Sequence, residues 1–120
     1  MRPDERDAAY LWDMLDAAQA VRQFTANISF DQFLQDRQVQ MAVERAIEII
    51  GEAAHHVSET FQRAHPEIPW RGIIAQRHVL AHEYGEIKQD RMWIVAVVHV
   101  PDLIAKLEPL LPPPPPELQR

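Results

Sequence analysis

Val39-Gln40-Met41-Ala42-Val43-Glu44-Arg45-Ala46-Ile47-Glu48-Ile49-Ile50-Gly51-Glu52-Ala53-Ala54 decides the fold. Val39, Val43, Ala46, Ile47, Ile50 and Ala54 recur at the i, i+3, i+4, i+7 spacing of one helical face, and Val57 and Phe61 extend it. The spacing predicts a long helix, capped by Asp36 and running to about Ala64. Gly51 in its interior costs about 1 kcal/mol against alanine, which suggests a close helix–helix approach there. Glu48 and Glu52 lie four residues apart on one face. They read either as a solvated stripe with ion pairs or, for Glu52, as a carboxylate that contacts Arg77.

The flanking segments repeat the pattern. Upstream, Leu11, Met14, Leu15, Ala18 and Val21 predict a first helix from about Asp4 to Phe24, with Asp4, Glu5 and Asp7 at the positive end of its dipole. Trp12 falls on the flank of that stripe. Ser29 and Gln32 form a capping-box pair that opens a short helix through Phe30, Phe33 and Leu34. Downstream, His65-Pro66-Glu67-Ile68-Pro69 ends the long helix, and Pro69 suits the first position of the next one. Trp93, Ile94, Val97, Val100, Ile104, Leu107 and Leu111 mark a last helix, which Pro101 should kink or divide. Asp90 is the expected N-cap of that helix and Gly85 the expected turn before it.

No segment has strand period and no internal repeat occurs. With 47% apolar residues, 25% charged residues and only three glycines in 120 residues, the expectation is an all-α chain. The architecture expected is an antiparallel bundle of four main helices plus a short extra helix, over residues 1–111. Residues 112–120 form a proline-rich tail, read as exposed polyproline II. Cysteine is absent, which removes disulfides and thiolate metal sites. No signal-peptide core or membrane span is visible, so a soluble cytoplasmic protein is expected. A formal charge of −6 argues against a general nucleic-acid coat, and an RNA site would have to concentrate positive charge locally.

The densest chemistry lies in Arg77-His78-Val79-Leu80-Ala81-His82-Glu83-Tyr84. Arg77 and His82 are five residues apart, about 140° around a regular helix, and would not share a face unless the helix ended or distorted between them. Histidine exchanges protons near neutrality, and arginine offers a planar fork of donors to phosphoryl charge. Together they suit phosphodiester cleavage without a metal. Tyr84 adds a hydroxyl that could bind substrate, orient His82 or accept a modification. A rival reading pairs His78 with His82 at i, i+4 as metal ligands, with Glu83 or Glu86 as a third. The plainest reading is a helix terminus stitched by polar side chains.

Arg77-x4-His82-x-Tyr84 resembles the signature of HepT-like proteins of the HEPN superfamily. The surroundings agree: Trp70-x-x-Ile73 before it, Trp93 and Pro101-x-Leu103 after it, and Ala42–Ala54 as the second signature. The resemblance spans about residues 6–111. It implies a HEPN-type helical domain acting as a metal-independent endoribonuclease toxin, with no cofactor, in a homodimer that brings two Arg/His motifs into one cleft. Arg77 would then stabilise the phosphate and His82 act as general acid/base, with His78 and Glu52 in support. The implied partner is a minimal nucleotidyltransferase antitoxin that transfers AMP to Tyr84, and the implied substrate is RNA. His78 stands where the family usually carries asparagine. A second reading makes the chain a catalytically weak dimer that serves as a binding module for that partner.

Overall fold

The structure, a computed structural model, describes residues 3–82 and 88–112, with side chains described for 3–76 and 88–112. Among the described residues it is all-α, as the composition predicts. The first helix, α1 (Glu5–Thr25), starts where Asp4 accepts the Asp7 backbone N–H at 2.7 Å. It buries Leu11, Met14, Leu15, Ala18 and Val21, the stripe read from the sequence. The short α2 (Phe30–Gln35) has the expected reciprocal cap. Gln32 N–H donates to the Ser29 hydroxyl at 3.1 Å, and Ser29 N–H to the Gln32 side chain at 2.8 Å.

Asp36 then caps α3 (Arg37–His56) through the Val39 N–H at 3.1 Å. Helix α3 also closes the end of α2: buried Gln40 donates to the Phe33 and Leu34 carbonyls at 2.9 and 3.2 Å. Those carbonyls would otherwise be orphaned at a helix terminus. Gly51 is buried in α3, as a position of close packing requires.

The long helix is shorter than its apolar period suggests. It stops at His56, Val57 turns to extended geometry, and a separate helix α4 (Glu59–Ala64) follows. The cause is a residue 51 positions upstream. Buried Asp7 accepts both the Ser58 backbone N–H at 2.8 Å and the Ser58 hydroxyl at 2.6 Å, while Ser58 caps α4 through Phe61 N–H. The bundle therefore has two short helices where one is expected. The same contact sets the start of α1 beside the end of α3, so these two helices run antiparallel. Asp7→Ala leaves two half-buried donors without an acceptor and should destabilise the fold by about 2–3 kcal/mol in urea titrations.

After Pro69, α5 (Trp70–His82) packs along α3, and Pro69 itself precedes the helix, accepting the Ile73 N–H at 3.0 Å. The last rod comprises α6 (Gln89–Ile94), a π turn (Val95–His99), α7 (Val100–Leu107) and a 3₁₀ turn (Glu108–Leu110). Its N-cap position is Lys88, which makes no side-chain cap, rather than Asp90, which sits in the first turn. Pro101 does not divide the rod. A proline ring clashes with the carbonyl four residues back and lacks an N–H. The π turn widens the helix just before it, with Val100 N–H donating to the Val95 carbonyl five residues earlier. Gln89 ties the start of the rod to α3 by donating to Glu44 at 2.8 Å.

One core holds these elements together, with Phe33, Phe61, Ile68, Ile104 and Leu107 almost wholly buried. Among the described residues the last helical turn ends at Leu110; the tail from 113 onward and Gly85 lie outside them. Among the described residues no helix is long and apolar enough to cross a membrane.

Candidate functional site

The start of α5 is fixed firmly. Trp70 Nε1 donates to the His65 carbonyl at 2.9 Å, and its ring meets Phe61 edge-on at 6.4 Å. His65 is largely buried, lies 4.4 Å from the Phe61 ring and pairs with Glu67 at 3.2 Å. From that anchor α5 continues unbroken past Arg77 and His78 to His82. The helix neither ends nor distorts between Arg77 and His82, so their backbone positions lie about 140° apart in register. His78 and His82 are about 40° apart on one face. The side chains of these three residues, and Tyr84, Glu83 and Glu86 entirely, lie outside the described residues.

Glu52, on α3, is about half exposed and stands 3.2 Å from His56. Arg45 and Glu48 pair at 3.1 Å one turn earlier. These belong to a polar cleft of about 290 Å³ between α1 and α3, which also includes Tyr10 and Asp13. The Tyr10 and His56 rings stack at 5.2 Å with 21° between their planes. Nothing in the sequence near His56 marks this role, because its ring partner is 46 positions away on another helix. Burial, and then the Asp16 charge, holds the Asp13 carboxyl above the usual carboxylate range. A raised pKa means that the ionised form weakens the fold, so stability falls as pH rises from about 4. Asp13→Asn should raise the melting temperature at pH 7 and leave it unchanged near pH 2.5 in a thermal scan.

A second cavity, about 340 Å³, lies on the other side of α3. Ile47 and Ile50 of α3, Gly72, Ile73 and Gln76 of α5, and Val95, His99 and Leu103 of the last rod line it. It extends along α5 to the residue before Arg77.

The family model for HepT-like ribonucleases matches residues 14–110, which include Arg77, His82 and Tyr84. The chain belongs to the HepT-like ribonuclease family. A "Probable ribonuclease HepT" of Thermococcus cleftensis is 41% identical over 101 residues, covering 84% of this chain and 92% of that protein. A Methanocaldococcus jannaschii protein named as a candidate RNase is 34% identical over 109 residues, covering 91% and 90%. A second one from that organism is 33% identical over 100 residues, covering 83% and 92%. No solved structure matches the chain. Family membership agrees with the resemblance drawn from the Arg77–Tyr84 window and with the all-α bundle.

Proposed function

We propose that this HepT-like chain is a metal-independent endoribonuclease whose active cleft is assembled from two copies, with Arg77 and His82 as the catalytic pair. The observation that carries the reading is the unbroken course of α5. It sets the two positions about 140° apart, so one helix turns only one of them squarely toward a given phosphodiester. Two copies can bring both residue types to a common cleft and provide two imidazoles. One His82 takes the 2′-hydroxyl proton as the oxygen attacks phosphorus, and the other protonates the departing 5′-oxygen. Arg77 places its fixed positive charge on the phosphoryl oxygens as charge develops there. The products are a cyclic phosphate end and a free hydroxyl end, with no net proton change at the protein.

His78 follows Arg77 directly and supports the hydrogen bonding around it, whereas Glu52, paired with His56 in the α1–α3 cleft on the side of α3 away from the α5 groove, has no part in this proposal. Tyr84 is the regulatory position in this proposal. A cytoplasmic nucleotidyltransferase antitoxin transfers AMP to its hydroxyl, and the added phosphate charge and adenosine bulk keep RNA from the cleft. Incubation with a minimal nucleotidyltransferase and ATP tests this by intact mass. The expected result is AMP addition to the native chain and none to Tyr84→Phe, with RNA cleavage falling as modification rises. Modification unaffected by Tyr84→Phe would contradict it. RNA cleavage that persists in excess EDTA supports the Arg/His mechanism, whereas chelator-sensitive cleavage would favour the His78/His82 metal pairing.

A further inference from the structure

We infer that the groove between α3, α5 and the last rod receives the base of a nucleotide flanking the cleaved phosphate, and that Gln76 reads that base as adenine. The inference rests on the ribonuclease reading and adds a sequence preference to it. Three observations converge on this groove.

The first is register. Gly72, Ile73 and Gln76 line the groove along one edge of α5. Position 77 continues that edge one turn beyond Ile73, because residues four apart are neighbours on a helix surface. A phosphate held at Arg77 therefore sits at one end of the groove. A base stands off its phosphate by a span close to one helical turn of about 5.4 Å, which brings it over Gln76 and Gly72.

The second is shape. At about 340 Å³ the groove is near the lower bound of small-ligand sites, about 300 Å³, so it suits one planar base rather than a run of chain. Ile47, Ile50, Val95 and Leu103 give it apolar walls, which suit the face of a base. Gly72 is exposed in the interior of α5, and a Cβ built there would meet nothing within 4 Å. Glycine weakens a helix interior, and nothing in this chain's own packing needs the missing side chain. A ring laid against the helix backbone does.

The third is polar chemistry. RNA must approach a chain of formal charge −6 where negative charge is least. At the groove Asp102 is neutralised by Lys106 at 2.8 Å, whereas the α1 surface carries Glu5, Asp13 and Asp16 exposed. Among the apolar walls, Gln76 and His99 offer hydrogen bonds. A carboxamide presents a donor beside an acceptor and matches the N6 amino group and N7 of adenine. Guanine shows two acceptors on the same edge, where the carboxamide oxygen would meet another acceptor.

Sequencing the cut ends of a random-sequence RNA pool tests the assignment on the full chain. Calorimetric titration with the nucleoside 3′-monophosphates gives a second readout that needs no cleavage. The native chain should enrich adenine at a position beside the cut, and adenosine 3′-monophosphate should bind about 10-fold or more tighter than its guanosine, cytidine and uridine counterparts. Gln76→Ala should abolish both preferences, and Gln76→Arg should move both to guanine, the base an arginine reads. Gly72→Leu fills the open space with a better helix former, so both preferences should fall while the helical content is kept. Cleavage without adenine enrichment, or with an enrichment unchanged in Gln76→Ala, would overturn the assignment and leave the ribonuclease reading standing. A chain that cuts no RNA would overturn the ribonuclease reading, and the titration then decides the groove. Adenosine 3′-monophosphate binding lost in Gln76→Ala would support a base site there, and binding that is absent or unchanged would overturn it.

Discussion

His82→Ala is expected to lower RNA cleavage by about 10²–10⁴-fold, the usual contribution of a positioned general acid or base. Its circular dichroism should not change, because alanine is the best helix former. Arg77→Ala should lose about 10²–10³-fold through the missing charge on the phosphoryl oxygens. Arg77→Lys should recover only part of that loss, since an ammonium keeps the charge and lacks the fork. The two losses should not add if the residues act as one unit on one phosphate. Steady-state cleavage of a fluorogenic RNA measures each, and variants that retain native rates would remove these residues from the mechanism.

Phe33→Ala is expected to cost about 3–5 kcal/mol, a large share of the 5–15 kcal/mol by which a domain of this kind is stable. Phe33 is fully buried, and its ring lies 5.2 Å from Trp93 at 45°. It is the single buried side chain of α2 and holds that helix on both α3 and the last rod. Truncation leaves a cavity that a six-residue helix, capped at both ends, cannot collapse to fill. The loss should appear as a fall of roughly 10–20 °C in melting temperature. A fall of only a few degrees would mean that α2 is peripheral to the core.

Features set by neighbouring residues were legible in the sequence. Ser29 with Gln32 announced α2, Asp36 announced α3, and the Pro66–Pro69 segment announced the break before α5. Each acts within a few residues, so a local pattern carries the information. The break at Val57–Ser58 was not legible, because the apolar period runs on through Phe61 and the cause is Asp7, on a different helix. Pro101 signalled a disturbance but not its form. A kink, a division and a π turn all relieve the same clash, and packing of Ala96 and Val100 into the core selects the third. At the site, the spacing of Arg77 and His82 already pointed away from one shared face. The stacking of Tyr10 on His56 and the open groove at Gly72 depend on contacts between distant helices, which spacing does not encode.

The central claim, that two copies each contribute His82 to one cleft, is tested by mixing native chain with His82→Ala chain, unfolding and refolding them together, and measuring RNA cleavage against the native fraction. If both imidazoles are needed, only native–native dimers cleave, and an equal mixture retains about one quarter of the native rate. An equal mixture retaining about one half, with a linear dependence on native fraction, would contradict the claim and place a complete site in each chain.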